Sequence, residues 1–168
     1  MGYSHPMGLS WPDAAHLVVA AALTYLIGFE RDLRGALIGD RVFALVGTGA
    51  GVVGIIAAHG APNVLAGAIT GIGFIGGGLV FRQALGSQQV VKGTTTAGAL
   101  FAATAIGAAA GQGRLLVAVV ATALSLFVLE LRHVRWLSML DGRRWARYFP
   151  DDEGPAQPDQ PDQTPKDQ

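Results

Sequence analysis

Long apolar windows alternate with short polar ones along almost the whole chain. Five windows stand out, at residues 14–29, 42–58, 64–81, 95–110 and 115–131. Each holds 16 to 18 residues, near the lower limit of about 17–25 for a helix that crosses a bilayer. The pattern predicts an all-α, polytopic membrane protein with about five transmembrane helices. The glycine content of the windows predicts a tightly packed bundle. Polar flanks must lengthen each helix for it to span.

The ends of the windows carry helix signals. Ser10 and Asp13 are both N-cap candidates for the first span, with Pro12 in its first turn. Trp11 sits where an interfacial aromatic anchor belongs. Residues 1–13 read as an extracytoplasmic N-terminus, and 14–131 as the membrane domain. Residues 132–149 mix Arg135, Arg143, Arg144 and Arg147 with Trp136, Trp145, Tyr148 and Phe149, which predicts a basic amphipathic helix on the membrane surface. Residues 150–168 are acidic and rich in Pro, Gln and Asp, and are expected to be disordered.

The Lys and Arg positions set the expected orientation. None precedes Arg31, and none lies between the second and third windows. Arg31, Arg34 and Arg41 follow the first window, Arg82 and Lys92 follow the third, and Arg132, Arg135, Arg143, Arg144 and Arg147 follow the fifth. The positive-inside rule then puts the N-terminus outside and the C-terminus in the cytoplasm.

Composition narrows the chemistry. Of 168 residues, 51% are hydrophobic and 14% charged, well below the roughly 25% charge of soluble domains. Net charge is zero, so no whole-molecule field favours nucleic acid. With no cysteine, disulfides, thiolate metal sites and thiol nucleophiles are excluded. The four histidines have no spacing that suggests a metal site or a catalytic triad. No catalytic residue, metal ligand set or cofactor is expected. His16 is the one titratable residue well inside a window, which makes it a candidate by position alone, beside the plainer reading of a hydrogen bond to a neighbouring helix.

Three polar or glycine-rich stretches remain. The first holds Glu30, Arg31, Asp32, Arg34, Asp40 and Arg41, three acids and three bases within twelve residues at one membrane edge. Glu30 and Arg34 are spaced for an i,i+4 pair. Charges at a membrane edge are cheap because the side chains can snorkel, so plain interfacial anchoring is one reading; lone basic residues would suffice for that, and the near balance of signs suggests instead ion pairs that tie two helices or a polar pocket. The second stretch is the third window. Glycine costs about 1 kcal/mol in a helix relative to alanine, so Gly67, Gly71, Gly73, Gly76, Gly77 and Gly78 need a reason. Close approach of another helix is the usual one in lipid, either within the molecule or from a partner. The second and fourth windows are also rich in small residues and are expected to pack against the third. The fifth, rich in Leu and Val, is expected to face lipid. The third stretch is Lys92, Gly93, Thr94, Thr95 and Thr96, after Arg82. The threonines are N-cap candidates for the fourth span, Gly93 allows a sharp turn, and the phosphate-loop pattern GxxxxGK[ST] is absent.

Four blocks in order carry a resemblance. They are Leu26-Ile27-Gly28-Phe29-Glu30-Arg31, then Gly39-Asp40-Arg41 with Leu45-Val46, then Gly71-Ile72-Gly73-Phe74-Ile75-Gly76-Gly77-Gly78 with Arg82, then Val91-Lys92-Gly93-Thr94-Thr95-Thr96-Ala97-Gly98. Together they resemble the membrane domain of the MgtC/SapB family over about residues 14–131. The chain departs from the family at Arg41-Val42-Phe43, where R-T-H is usual, and at Thr94, where Leu is common. Many members add an ACT-like soluble domain, for which no counterpart is expected here. The resemblance implies a bacterial inner-membrane protein with a role under magnesium limitation or acid stress. It implies a non-enzymatic regulator acting on membrane partners, the F-type ATP synthase and magnesium transporters among them. A small magnesium transporter or channel, built as a homo-oligomer, is the alternative. The lipid bilayer is the partner common to both.

Overall fold

The computed structural model describes residues 10–85 and 88–131. They form α1 (Trp11–Leu33), α2 (Asp40–Ala58), α3 (Val64–Leu79), β1 (Phe81–Leu85), β2 (Gln88–Lys92), α4 (Thr94–Gly111) and α5 (Leu115–Glu130). The five helices fall on the five apolar windows. The amphipathic helix expected at 132–149 and the acidic tail lie outside the described residues.

The two ends of α1 show why it outgrows its window. Ser10 is the N-cap, and Asp13 completes a capping box: the Asp13 N–H donates to Ser10 Oγ at 3.3 Å, and the Ser10 N–H donates to Asp13 Oδ2 at 3.1 Å. At the other end Gly35 adopts φ +64°, and the Ala36 N–H reaches back to the Arg31 carbonyl at 3.0 Å. The Gly35 N–H bonds Asp32 in the same way, which completes a Schellman stop. α1 therefore carries Glu30, Arg31 and Asp32 on its last turns instead of in a loop.

The molecule is built around α1, α2 and α4. Ala20, Thr24 and Gly28 of α1, spaced by four, face Gly51, Gly47 and the start of α2. A methyl on Gly47 would fall on the Thr24 side chain, and one on Gly28 would lie 2.6 Å from the Asp40 Cα. α2 meets α4 in the same way. A methyl on Gly107 would lie 2.5 Å from the Gly47 carbonyl oxygen, and methyls on Gly54 and Gly111 would fall on the carbonyl oxygens of Ala108 and Gly51. Phe43, Ile27, Leu100 and Ile106 fill the space left between the three helices. Polar side chains inside are satisfied locally: Thr24, Thr104 and Thr122 each donate to the carbonyl four residues earlier, at 2.8–3.0 Å.

Two expectations are corrected here. The small faces of α2 and α4 pack against each other and α1, not chiefly against α3. α3 lies along α4 and buries only Ile72 and Gly76. The connection from α3 to α4, expected as a polar loop, is a two-stranded antiparallel hairpin that pairs Phe81 with Lys92 and Leu85 with Gln88. Helix α3 stops at Leu79, two residues before the expected end, because three consecutive glycines are followed by Val80 in extended conformation (φ −88°, ψ 110°). On α5, Leu116, Val117, Leu124, Phe127 and Val128 are each at least half exposed.

Exposed apolar side chains ring the helices, from Val18 on α1 and Leu45 on α2 to Phe74 on α3. Water does not tolerate a continuous apolar surface of that extent, whereas lipid does. By length and composition α1 and α2 are able to cross a bilayer, and α3 and α5 are shorter apolar helices of 16 residues.

Glycines in the three-helix contact and glycines on α3 should answer differently to an added methyl. Gly54→Ala or Gly111→Ala is expected to destabilise the protein by about 1–3 kcal/mol through overpacking. Gly67→Ala and Gly71→Ala meet no atom within 4 Å. They should be neutral or stabilising by up to about 1 kcal/mol from helix propensity. Reversible unfolding in mixed detergent micelles reads both.

Candidate functional site

The polar edge cluster assembles at the α1–α2 junction. Glu30 and Arg31 are each 7% exposed. Arg31 grips Glu30 with two bonds, Nε donating to Oε2 at 2.5 Å and Nη2 to Oε1 at 2.7 Å. This is the short, charge-assisted fork geometry that makes Arg–carboxylate pairs strong. The expected i,i+4 pair also forms: Arg34 Nε lies 3.6 Å from Glu30 Oε1, with the Arg34 side chain 36% exposed. Neighbours in sequence do not normally face one another on a helix. The shorter bond to Arg31 was therefore not legible from spacing.

The rest of the cluster sorts by exposure. Asp32 and Arg41 are exposed, and Asp40 is half-buried at the first turn of α2. Its Oδ1 accepts the Arg41 backbone N–H at 2.6 Å. The Tyr25 side chain lies near the Asp40 carboxylate, across the contact between α1 and the start of α2. Asp32 leans over Gly39, where any side chain would collide with its carboxylate. Gly28 and Gly39 thus let two backbones close around a charged group. Sequence reasoning missed Tyr25, Gly28 as a contact, and Thr24. The spacing of Ala20, Thr24 and Gly28 by four was the available signal.

The glycine face of α3 is the second feature. Gly76 alone packs inside, with an added methyl 3.7 Å from the Ala97 Cβ. Gly67, Gly71, Gly73, Gly77 and Gly78 have nothing within 4 Å of such a methyl. They form two adjacent outward stripes, Gly67-Gly71-Phe74-Gly78 and Ala66-Thr70-Gly73-Gly77. Phe74 stands out from them, 87% exposed. Among the described residues, Gly76 is the one glycine of this set with a neighbour packed against it.

The third stretch closes the hairpin. Gly93, not a threonine, is the N-cap of α4, at φ +92°. A side chain there would strike the Leu79 carbonyl oxygen, so glycine is required twice over. Thr94, Thr95 and Thr96 form the first turn, the first two exposed and Thr96 buried. Lys92 is exposed. The Arg82 backbone pairs with Val91 in the hairpin; its side chain lies outside the described residues. His16 is half-buried, and its Cε1 lies 3.0 Å from a methyl built on Gly113, the φ +77° residue of the α4–α5 turn. It packs on that turn, and this places it with the fold more than with any cluster.

The two arginines on Glu30 should be unequal. Removing Arg31 by Arg31→Gln strands a buried carboxylate and should cost about 3–5 kcal/mol. Arg34→Gln touches a longer, partly exposed pair and should cost about 0–1 kcal/mol. Unfolding of the two variants in detergent checks the ratio.

A family model for the MgtC family matches residues 17–135. YhiD of Escherichia coli (strain K12) is 32% identical over 130 residues, covering 70% of this chain and 59% of that protein. MgtC of Salmonella typhimurium (strain LT2) is 35% identical over 118 residues, 68% of this chain and 49% of its own. MgtC of Brucella abortus (strain 2308) is 34% identical over 121 residues, with 67% and 49% covered. The chain thus spans about half the length of the curated relatives it matches. No solved structure matches significantly. The matched region runs from α1 past α5 and takes in the edge cluster, the α3 glycines and the hairpin, and the chain belongs to the MgtC family.

Proposed function

We propose that this chain is a non-enzymatic, five-span protein of the bacterial inner membrane, N-terminus outside, that regulates other membrane proteins under low magnesium or acid stress. The observation that carries the reading is the open glycine face of α3. A backbone covered only by glycine lets a foreign helix approach closely, and in lipid such packing is a main source of association energy. Among the described residues nothing packs on that face, and Phe74 offers a knob beside it. The partner class follows the family resemblance: ATP synthase or magnesium transporters.

Ion transport by an oligomer is the second reading, because the name of the E. coli relative proposes magnesium transport. Magnesium takes hard oxygen ligands, typically one or two carboxylates with retained water. The buried carboxylate of this chain is already held by Arg31 and Arg34, so its charge is more than compensated. That geometry favours regulation.

Gly73→Leu and Gly77→Leu should leave unfolding unchanged yet weaken partner association by about tenfold, the equivalent of about 1.4 kcal/mol. A photo-crosslinker at Phe74, in cells grown at low magnesium, should capture a partner that the leucine variants do not. Magnesium flux into proteoliposomes that disappears in Glu30→Gln would instead establish transport and sink the regulator reading.

A further inference from the structure

One side of α1 stays uncovered along its whole length. Val18, Ala22, Leu26, Phe29 and Leu33, spaced by three or four, are all exposed. The opposite side, from Ala20 to Arg31, is the one that meets α2 and α4. The exposed line does not stop where α1 does. Leu33, in the last turn, is 70% exposed, and Leu37, in the connection to α2, is 62% exposed. Ile38 beside it turns inward and packs against the core.

The other described turns between helices are built differently. Residues 59–63, between α2 and α3, and 112–114, between α4 and α5, hold no Leu, Ile, Val, Phe, Tyr or Trp. Such turns are suited to water. The connection 34–39 instead carries one large apolar side chain into the core and one outside it, with Leu33 at its threshold.

Depth decides what covers the two leucines. Trp11, 91% exposed in the first turn of α1, stands where an aromatic anchor marks one interface. At 1.5 Å per residue, Glu30 lies about 29 Å along the axis from it and Leu33 about 33 Å. A tilt of about 20° shortens the second figure to about 31 Å. The hydrocarbon core is about 30 Å thick, and the headgroup layers extend the bilayer to about 40–45 Å. Leu33 therefore reaches the second interface. The connection goes little further, because by Asp40 the backbone is again level with Gly28. Exposed Arg34 and Arg41 flank it, as basic residues flank interfacial segments, their stems able to lie along apolar surface while the charge reaches outward.

We propose that the α1–α2 connection is a membrane-inserted elbow: Leu33 and Leu37 lie among the upper acyl chains of one leaflet and continue the lipid face of α1. The elbow holds the Glu30–Arg31 junction at headgroup depth. The inference rests on the membrane setting and stands whether or not the α3 face binds a partner.

The chain has no cysteine, so single reporters are simple to place. Bimane is attached to Leu37→Cys, or to Leu33→Cys where the first variant elutes as aggregate, in the full chain reconstituted into vesicles of phosphatidylcholine and phosphatidylglycerol. Leu124→Cys, on the exposed side of α5, is the deep control, and Ala61→Cys, in the α2–α3 turn, is the water control. Phosphatidylcholine brominated high on its acyl chains should quench the elbow reporter several-fold more than lipid brominated at the chain ends, as shallow insertion requires. Leu124→Cys should show the reverse order. Iodide on both sides of the bilayer should quench the elbow reporter several-fold less than Ala61→Cys. Iodide quenching equal to that of Ala61→Cys overturns the proposal and puts the elbow in water. A preference for chain-end bromine overturns it by placing the elbow too deep. Weak quenching by iodide and by both lipids also overturns it, and assigns Leu33 and Leu37 to a protein contact.

Discussion

Three helix backbones approach one another so closely that nothing larger than a small side chain fits between them, and the rest of the molecule depends on that approach. In water apolar burial would drive it. In lipid the tails outside are as apolar as the leucines inside, so dispersion between closely fitted surfaces has to replace it. Gly47, Gly51 and Gly54 on α2, Gly107 and Gly111 on α4, and Ala20, Thr24 and Gly28 on α1 supply the fit. The buried charge follows from it: Glu30 and Arg31 are enclosed at one end because Gly28 and Gly39 let α2 start directly against α1. The threonine hydroxyls follow too, since a surface this tight leaves them only their own helix carbonyls.

α3 and α5 stand outside this contact, and each leaves an apolar surface unused by the fold. α3 leaves glycine backbone, shaped for another helix. α3 and α5 each give the core only a few residues, Ile72 and Gly76 from one and Ala118 and Thr122 from the other, and most of their surface is left exposed. This division of labour is what the regulator reading requires.

Much of this was legible in the sequence. The five windows gave five helices, because apolar runs of that length have few alternatives. The capping residues Ser10 and Asp13 and the Glu30–Arg34 spacing worked because they act within one or two turns. What failed was pairing. A glycine in a helix says that something comes close, but not which helix brings it. Gly71 and Gly107 look alike in sequence, and only the three-dimensional arrangement separates an open position from a closed one. The hairpin at Phe81–Lys92 was missed for a related reason. The sequence between Leu85 and Gln88 lacks the strong Asn-Gly signal, and the polar residues after Arg82 suggested a loop. The Glu30–Arg31 pair was missed because it violates the usual geometry of neighbours and exists only where α2 excludes water.

The helices also differ in reach. At 1.5 Å per residue, the 23 residues of α1 span about 35 Å, whereas the 16 of α3 span about 24 Å. A hydrocarbon layer is about 30 Å thick, so in the proposed five-span arrangement the lipid collar around the molecule would not be uniform. It relaxes beside α1 and is pinched beside α3, at a cost of fractions of a kcal/mol per ångström. A second short helix laid against α3 would share the pinched zone and reduce its perimeter. Under the proposed regulator reading, the bilayer itself would then push partners of matching shortness toward the glycine face, before any side chain has made contact.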